Sequence, residues 1–441
     1  MKYFGTDGVR GKVGEVLTDE IAYRIGRFIG QYPAGRKSKI LISQDTRESG
    51  DFLKKALIRG ITSSGGQYVD LGISTTPSLS YLVHQNGFDY AIMISASHNP
   101  YYDNGIKIFD KKGKKLAAKI ENLIEEYIKS EQDYLPIRKE NNHLLDHQKD
   151  DLINDYLNFL TSKVNHDLSS LNILVDCANG SASFLAPRLF NDLGVKADYI
   201  FHTPNGVNIN KECGSTYLEN LSNYSKNKQY DLCLAFDGDA DRVLFMKDGQ
   251  EINGDHMLYL LGKHLRAKQK LNEDTIVITQ MANFGLKKAF HHNNFKYLEV
   301  DVGDKYVQAA LEKHHLSLGG EQSGHIIFYD YLNTGDGLLT SLKVLDTYVA
   351  YGNSFKELLN DLKIYPQTLV NMKVKNKKEI LEDDEFISLY KKEQRRLGSS
   401  GRILIRPSGT EPLIRIMVEA PTKKECEHYS AIFENYILNK Y

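Results

Sequence analysis

Short apolar segments rich in β-branched residues alternate along this chain with segments of helical periodicity. The apolar segments predict strands, and each runs into a polar or glycine-rich loop: KILIS (39–43), YAIMI (90–94), NILVD (172–176), YDLCLAF (230–236) and TIVIT (275–279). This alternation is typical of βα units rather than of an all-β protein. Because α/β sheets bind ligands beyond the carboxyl ends of their strands, we expect the functional residues in these loops.

The domain organisation follows from length and from breaks in this pattern. A chain of 441 residues is too long for one ordinary core and predicts three or four domains. The strand-to-loop pattern recurs three times, which predicts three similar mixed α/β domains. After them, the strands RILIRP and LIRIMVEA and a closing helix predict a smaller α+β domain. Charged or interrupted segments place the four domains at 1–150, 151–254, 255–367 and 368–441.

Composition excludes several classes of protein. Lys plus Arg (56) nearly equals Asp plus Glu (57), so the chain has no general attraction for nucleic acid or anionic lipid. No stretch approaches the roughly 20 apolar residues that span a bilayer, and no secretory signal is visible. The four cysteines are dispersed without a CxxC pair, which favours buried thiols over a zinc site or disulfides. We therefore expect a cytoplasmic protein whose partner is neither nucleic acid nor membrane.

The segment DGDADR places Asp237, Asp239 and Asp241 at alternate positions directly after a predicted strand. In an extended segment these carboxylates would project to one side and repel each other unless a cation joined them. Such oxygen ligands suit Mg²⁺ or Ca²⁺. An EF-hand is excluded because Asp248, in a predicted hairpin turn, stands where that loop requires a bidentate glutamate. The alternative is a solvated acidic turn.

The segment SASHNP places Ser97 and His98 at the end of another predicted strand. It could simply cap a helix or close a turn. Two chemical interpretations compete with that one. In the first, His98 is the base of a hydrolase-like serine, although no GxSxG elbow is present. In the second, Ser97 carries a phosphoryl group beside a divalent metal, with polar neighbours that include Lys107.

Three further segments offer binding groups. GGEQSGHI would present Glu321, Ser323 and His325 on one side if it is extended, an arrangement suited to sugar hydroxyls; the alternative is a plain turn. RPSGTEPLIR resembles a nest for a tetrahedral dianion rather than a Walker loop, and the alternative is a turn with surface arginines. Its candidate residues are Arg406, Ser408, Gly409, Thr410 and Arg415. Arg10 in FGTDGVRG is a weaker candidate, and its alternative is an amino-terminal hairpin.

Together these segments supply a metal cluster, a serine, a hydroxyl-binding loop and a phosphate-binding loop. That inventory fits phosphoryl transfer on a small phosphosugar. Loose transition states of this kind are stabilised by positioning and positive charge, which Mg²⁺, Lys107, Arg10 and Arg242 could provide.

The same segments resemble the α-D-phosphohexomutase family over essentially the full length of the chain. The resemblance rests on FGTDGVRG, ISASHNPYYDNGIKIF, NGVNINKECGST, DGDADR, GGEQSGHI and RPSGTEPLIRIMVE. It implies three similar α/β domains and a smaller α+β domain around a central cleft. In order, these domains would carry the phosphoserine, the metal, the sugar site and the phosphate site.

The resemblance also implies roles for single residues. Ser97 would be phosphorylated and, with Asp237, Asp239 and Asp241, would hold one Mg²⁺ per chain. Lys107 and His325 would transfer protons or stabilise charge, Arg10 and Arg242 would surround the phosphoserine, and His98 is a further catalytic candidate. Sugar hydroxyls would bind Glu321 and Ser323, and phosphate would bind Arg406, Ser408, Gly409, Thr410 and Arg415. A glucose or glucosamine bisphosphate would be an activator, and a homodimer is one oligomeric state to test.

One position departs from the family and another indicates the substrate. The chain has VGDKY where the family often has VGDRY, so Lys305 keeps a charge but loses the bidentate fork. Gln322 and the segment NINKECGST resemble the glucosamine branch, which interconverts glucosamine 6-phosphate and 1-phosphate on the route to UDP-N-acetylglucosamine and cell-wall precursors. Glucose or mannose phosphates are the runner-up substrates. A metal-dependent sugar phosphatase and a non-catalytic sensor are the alternatives from other classes.

Overall fold

The computed structural model describes residues 3–5, 7–32, 37–138, 144–145, 149–408 and 412–441. The chain separates into two compact units, Met1–Met281 with Lys296–Leu359, and Ala282–Phe295 with Asn360–Tyr441. Three of the described sheets lie in the first unit and a fourth lies in the second.

The first sheet is built from the amino-terminal part of the chain. Its strands are β1 Phe4–Gly5, β2 Gly8–Lys12, β3 Lys39–Gln44, β4 Gln67–Ile73, β5 Tyr90–Ile94 and β6 Asp103–Asp110. The helices are α1 Asp19–Ile29, α2 Gly50–Ser63, α3 Thr76–Gln85 and α4 Ala118–Lys129. The strand order is β1-β2-β6-β5-β3-β4. Strand β5 is fully buried, which explains its continuous apolar sequence.

The second sheet contains β7 Asn172–Asp176, β8 Lys196–Ile200, β9 Leu232–Phe236, β10 Val243–Lys247 and β11 Gln250–Ile252, in the order β11-β10-β9-β7-β8. Its helices are α5 Lys149–Thr161, α6 Ala182–Asp192 and α7 Glu219–Ser225. The predicted hairpin joins β10 to β11, with Asp248 (φ 52°) and Gly249 (φ 75°) both left-handed at its turn.

The third sheet contains β12 Thr275–Thr279, β13 Lys296–Val300, β14 Leu318–Gly320 and β15 Ile326–Phe328, in the order β13-β12-β14-β15. The helices of this part of the chain are α8 Gly254–Ala267, α9 Phe284–His292, α10 Asp304–His314, α11 Gly337–Ala350 and α12 Lys356–Leu359. Of these, α9 belongs to the second unit.

The second unit has α+β character, as predicted. Its sheet is antiparallel, in the order β16-β18-β17, with β16 Gln367–Lys373, β17 Arg402–Pro407 and β18 Leu413–Glu419. Besides α9, its helices are α13 Lys377–Leu381, α14 Asp384–Leu397 and α15 Lys423–Lys440. A capping box between Thr422 and Glu425 begins α15. The unit has its own core, which includes Ile416, Cys426 and Phe433.

The first three sheets share one strand arrangement. In each, a first strand pairs in parallel with a second and a third, and the third pairs antiparallel with a fourth. The common order is β6-β5-β3-β4, β10-β9-β7-β8 and β15-β14-β12-β13. The predicted three similar α/β units followed by a smaller α+β unit are therefore present. The central cleft and the domain bounds stay predictions.

Two expectations from composition concern buried thiols and membrane spans. All four cysteines are free and buried. Within the described residues, none of the helices combines the length and the apolar character that crossing a bilayer requires.

Candidate active site

Three turns, one from each α/β sheet, meet in the first unit. They follow β5, β9 and β14, the third strand of the arrangement that the sheets share, and they span residues 95–102, 237–242 and 321–325. The Ser97 hydroxyl donates a 2.6 Å hydrogen bond to Asp237 Oδ2. His325 Nδ1 lies 3.7 Å from Asp241 Oδ1. The serine, the carboxylates and the GGEQSGHI loop are therefore adjacent, although 140 residues separate Ser97 from Asp237.

The three aspartates converge in a tight turn rather than along an extended segment. Ala240 is left-handed (φ 55°), and the chain reverses between β9 and β10. One carboxylate oxygen from each of Asp237, Asp239 and Asp241 lies within 4.8 Å of the others, and all three residues are buried. The predicted convergence is present. The predicted extended geometry is wrong, because the turn and not strand alternation brings the carboxylates together.

The carboxylate cluster has the properties of a metal site. Burial, followed by the charges of Asp241 and Asp239, raises the pKa of Asp237 well above its usual range. Asp239 Oδ1 and Asp241 Oδ1 are buried and have no hydrogen-bond partner within the distance limit among the described residues, although His325 Nδ1 and Arg242 Nε each lie 3.7 Å from Asp241 Oδ1. Buried oxygens without partners are costly, and a hard cation satisfies several of them at once. The residues present therefore fit a metal ion.

Lys107 is a buried cation inside this cluster. Its Nζ lies 2.7 Å from Asp239 Oδ2, 3.0 Å from Asp7 Oδ2 and 3.4 Å from Asp241 Oδ2. Burial opposes its charge, but the carboxylates, Asp239 foremost, raise the pKa of Lys107 above its usual range. Burial likewise opposes ionisation of Asp241, yet Lys107 leads the groups that lower the pKa of this carboxyl well below its usual range. Lys107 therefore supplies fixed positive charge at neutral pH.

Two arginines lie close to His98, the neighbour of Ser97. His98 Nδ1 is 3.3 Å from Ser97 Oγ. Burial, with the charges of Arg242 and Arg10, lowers the pKa of His98 to about 4, so the ring is neutral at pH 7. Arg10 lies on the amino-terminal hairpin of β1 and β2 and pairs with Asp7. The Nε groups of Arg10 and Arg242 are buried without a hydrogen-bond partner among the described residues, Arg242 Nε lying 3.7 Å from Asp241 Oδ1, so both can donate to an anion.

The turn between β14 and β15 carries Glu321, Ser323 and His325. These residues do not alternate along an extended segment, so that expectation is wrong; the turn itself groups them. Glu321 Oε1 accepts a 3.1 Å hydrogen bond from the Gly303 backbone N–H. His325 Nε2 accepts a 3.0 Å hydrogen bond from the Gly335 backbone N–H, which places the ring proton on Nδ1. Glu321 and Ser323 are half-buried, whereas His325 is buried.

Lys305, where the chain has lysine in place of the arginine of VGDRY, lies near the start of α10. Lys305 Nζ is 5.1 Å from the ring centroid of Tyr306. The preceding residue, Asp304, pairs with Lys115 at 2.5 Å and lies 3.8 Å from His325 Nε2. Asp304 thus connects this segment to the turn between β14 and β15, while the role of Lys305 stays a prediction.

In the second unit, the predicted phosphate-binding residues lie on two paired strands. Arg406 on β17 and Arg415 on β18 are directly opposite each other, so their side chains share one face of the sheet. Burial and the charge of Arg415 lower the pKa of Arg406, and an anion would relieve this repulsion. The Ser408 carbonyl accepts a 2.7 Å hydrogen bond from Lys377 Nζ. Gly409 and Thr410 lie outside the described residues.

Sequence models of all four domains of one family match the chain. They are the phosphoglucomutase/phosphomannomutase domains I, II, III and IV, at residues 1–135, 154–250, 253–365 and 369–435. The chain belongs to the phosphoglucomutase/phosphomannomutase family. The α-D-phosphohexomutase resemblance drawn from the motifs is therefore confirmed.

Relatives within this family cover nearly the whole chain. The chain is 43% identical to phosphoglucosamine mutase of Lactobacillus acidophilus over 97% of its own length and 96% of the relative's. It is 42% identical to phosphoglucosamine mutase of an Exiguobacterium species, with the same shares covered. A Burkholderia thailandensis phosphoglucomutase/phosphomannomutase family protein has a similar fold, with TM-score 0.81, 24% identity and coverage of 98% and 96% of the two chains. Aspergillus fumigatus N-acetylphosphoglucosamine mutase, solved with GlcNAc-6P and magnesium, gives TM-score 0.70, 19% identity and coverage of 98% and 95%.

Several residues of this chain that contact the candidate site were not predicted from the sequence. Asp7 pairs with Lys107, and the Thr76 hydroxyl donates to Asp239 Oδ2. Arg47 and Asn210 donate to the backbone of the Ser97 turn, and Asp304 lies against the His325 ring. Arg47 lies in the polar segment QDTRESG after a predicted strand and Asn210 in NINKECGST, but nothing in either segment marks these two residues as contacts of the Ser97 turn.

Proposed function

We propose that the protein acts as a phosphoglucosamine mutase, an isomerase that interconverts glucosamine 6-phosphate and glucosamine 1-phosphate. The observation that carries the proposal is the 2.6 Å hydrogen bond from Ser97 Oγ to Asp237, which sets a nucleophilic oxygen on a buried carboxylate cluster. The amino sugar is supported by relatives at 42–43% identity that are named phosphoglucosamine mutases.

Isomerisation by this route takes two phosphoryl transfers at one serine. First, the free sugar hydroxyl attacks the phosphorus of phosphorylated Ser97. The bond from phosphorus to Ser97 Oγ breaks, the sugar oxygen loses its proton, and the serine oxygen gains one. The bisphosphorylated sugar then turns around, and Ser97 Oγ loses its proton and attacks the other phosphorus. The bond from that phosphorus to its sugar oxygen breaks, and the sugar oxygen gains a proton. The sum moves one phosphate between O6 and O1 and regenerates phosphoserine.

Charge neutralisation would come from a cation and from this chain's own residues. Ser97 and the three aspartates would hold one Mg²⁺, which when bound supplies positive charge to the transferring group. Lys107 is already paired with carboxylates, so we assign it to charge stabilisation. Arg10 and Arg242 have buried Nε donors available to a phosphoryl group.

Proton transfer and substrate binding would fall to the remaining candidates. His98 Nδ1 is 3.3 Å from the Ser97 oxygen that gains and loses a proton. His325, held through Nε2 by Gly335, presents its Nδ1 proton toward Asp241. Glu321 and Ser323 would bind sugar hydroxyls. The non-reacting phosphate would bind the loop of the smaller domain: Arg406, Ser408, Gly409, Thr410 and Arg415.

The test is an assay of the pure protein with Mg²⁺ and four substrates: the 6-phosphates of glucosamine, N-acetylglucosamine, glucose and mannose. A catalytic amount of the matching sugar bisphosphate would be added as activator. We expect glucosamine 1-phosphate from the first substrate at the highest kcat/KM. Release of inorganic phosphate instead would indicate a phosphatase, and a preference for glucose or mannose would overturn the amino-sugar assignment.

The phosphoserine is tested separately by intact mass. Incubation of the wild type with the bisphosphate should add one phosphoryl group, whereas Ser97→Ala should add none and should lack turnover. A Ser97→Ala variant that isomerises the sugar at the wild-type rate would remove this mechanism. A protein that binds the sugar phosphates without turnover or phosphorylation would be a sensor.

The proposal also includes the cellular location, the pathway and the oligomeric state of the enzyme. We infer a cytoplasmic enzyme that feeds UDP-N-acetylglucosamine and peptidoglycan precursor synthesis, because its proposed substrate is an amino-sugar phosphate. Its partner would be the phosphosugar rather than nucleic acid or membrane. Light scattering of the full chain would distinguish a homodimer from a monomer.

A further inference from the structure

Ser97 has a backbone conformation that serine rarely adopts. Its φ is 53°, in the left-handed region, where a residue with a Cβ is disfavoured by about 1–2 kcal/mol. Its N–H donates a 2.9 Å hydrogen bond to Ser95 Oγ, and the Ser95 hydroxyl donates to Asp45 Oδ2 at 2.6 Å. The strained conformation therefore depends on surrounding groups that hold it in place.

Arg47 holds this turn from inside the first sheet. The residue is 1% exposed, and its Nη2 donates to the carbonyls of Ser97 at 2.9 Å and Asn99 at 2.8 Å. Its Nη1 donates to the carbonyls of Asp103, at 3.0 Å, and Pro100. Its Nε pairs with Asp45 Oδ2 at 2.9 Å. All three guanidinium nitrogens are thus engaged, four of their bonds going to the segment that contains Ser97.

Asn210, in the part of the chain that forms the second sheet, also binds the carbonyls of Ser97 and Asn99. Its Nδ2 donates to Ser97 O at 2.8 Å and to Asn99 O at 3.1 Å. Asn210 is itself left-handed (φ 57°), which asparagine tolerates, and its backbone N–H donates to Ala178 O at 2.9 Å. The carbonyls of the Ser97 turn are therefore hydrogen-bonded by both Arg47 and Asn210, which are distant from each other in sequence.

We propose that Arg47 and Asn210 are positioning residues for phosphoryl transfer at Ser97, acting as a clamp on the carbonyls of Ser97 and Asn99. This inference rests on the proposed mutase function. Without the clamp, the Ser97 backbone relaxes toward negative φ, and its Oγ leaves the 2.6 Å contact with Asp237. Asn210 and Asp237 both belong to the part of the chain that forms the second sheet, and both bond to Ser97. The position of Ser97 Oγ therefore also depends on the contact between the first and second sheets.

The Asn210 half of the clamp is tested with two variants and one control. Asn210→Asp keeps the shape but replaces the donor with an acceptor, and Asn210→Gly removes the side chain while tolerating the left-handed backbone. Asn220→Asp is the matched control, because Asn220 lies in α7 and its Nδ2 donates to a single carbonyl, Glu212 O, at 2.8 Å. We expect both Asn210 variants to lose about 100-fold in kcat with little change in KM, as for a displaced reactive group. The control should keep wild-type kcat.

The Arg47 half has a matched control in the same part of the chain. Arg47→Lys keeps the charge but cannot reach four carbonyls. Arg27→Lys removes another fully buried guanidinium, which bonds to Ser63 O at 3.0 Å and pairs with Asp133 at 2.8 Å. Both variants should lose thermal stability, but only Arg47→Lys should lose kcat by about 100-fold. Equal kcat losses that follow the loss of stability would overturn the positioning role.

Hydrogen exchange of peptides spanning residues 95–105 separates this inference from the proposed function. In the Arg47 and Asn210 variants these amides should exchange faster than in the wild type and the controls, whatever the substrate. If the wild type proves not to be a mutase, faster exchange still establishes the clamp. Unchanged exchange together with unchanged kcat would overturn it. A loss of kcat in Asn210→Asp but not in Asn210→Gly would indicate an effect of the added charge and would also overturn it.

Discussion

Ser97 Oγ and Asp237 Oδ2 are 2.6 Å apart although they follow strands of different sheets. Each lies just beyond the third strand of its sheet, β5 and β9, and Glu321 follows β14 in the same way. The turn that leads from this third strand to the antiparallel fourth is the common location of all three sets of candidate residues. One repeated strand arrangement therefore supplies the phosphoryl carrier, the carboxylates and the sugar loop that we propose.

Gly238 is predicted to be required for the contact between the first two turns. A Cβ added there would lie 2.6 Å from Ser97 O and 2.9 Å from Asn210 Nδ2, and both groups are held in place. We expect Gly238→Ala to separate the turns and to lower kcat by about 10-fold to 100-fold in the mutase assay.

The control for this substitution is Gly249→Ala in the exposed hairpin turn. Gly249 is left-handed and has open space around it, so alanine there should cost about 1 kcal/mol of stability through strain alone. Turnover of Gly249→Ala should match the wild type. Wild-type kcat in Gly238→Ala would show that the two turns need not approach so closely.

Asp239→Asn should raise the Mg²⁺ concentration required for half-maximal activity by about tenfold or more, because a neutral amide is a weaker ligand. Asp239 Oδ1 is buried without a partner among the described residues, while its Oδ2 is already bonded to Lys107 and Thr76. Titration of activity with Mg²⁺ measures the shift. Asp248→Asn, an exposed acid of the hairpin turn, is the control and should titrate like the wild type. An unchanged requirement in Asp239→Asn would exclude its carboxylate from the metal site.

Strand positions were predictable because periodicity and burial coincide in them. YAIMI, NILVD and TIVIT are strands with the predicted bounds, since apolar β-branched segments of this length can be buried in a parallel sheet. The other two strands differ slightly in their bounds: β3 continues one residue beyond the predicted KILIS, to Gln44, and β9 begins at Leu232 rather than at Tyr230. The common order of the three sheets was not predictable, because strand pairing depends on contacts distant in sequence.

The site was predictable as a set of residues but not as a geometry. Asp237, Asp239 and Asp241 were identified by their spacing, yet alternation proved the wrong reason, because the left-handed Ala240 makes the turn. Arg47 and Asn210 were missed as individuals since their contacts are to backbone carbonyls, which no local pattern encodes. Side chains that bind carbonyls across sheets become visible only when the chain is folded.

Asp176 predicts a pH dependence of stability. It is buried, and its carboxylate accepts 2.8 Å hydrogen bonds from the backbone N–H groups of Ala178 and Gly214. Burial nevertheless raises the pKa of Asp176 to about 7, against about 3.9 in an unfolded chain. The folded state therefore holds the proton more tightly. The resulting stability is fully present below about pH 4 and is lost as the pH rises through about 7.

Asp176→Asn cannot titrate, so it isolates this contribution. The free energy of unfolding of the wild type minus that of the variant should fall by about 2–4 kcal/mol between pH 4.5 and about pH 8, as measured by urea unfolding. Because the two proteins share every other titratable group, taking this difference removes the general effects of pH. A constant difference between wild type and Asp176→Asn would contradict the raised pKa.

Arg415→Ala is predicted to weaken substrate binding more than turnover. Arg415 lies opposite Arg406 on paired strands, where two cations favour a phosphate that does not react. Loss of one charge-assisted contact costs about 1.5–3 kcal/mol, so KM should rise about tenfold or more while kcat falls less. Arg415→Lys should recover only part of the affinity, because lysine lacks the bidentate fork. Arg395→Ala, an exposed arginine of α14, should leave KM unchanged. If Arg415→Ala and Arg395→Ala gave the same KM for glucosamine 6-phosphate, the phosphate would have to bind elsewhere.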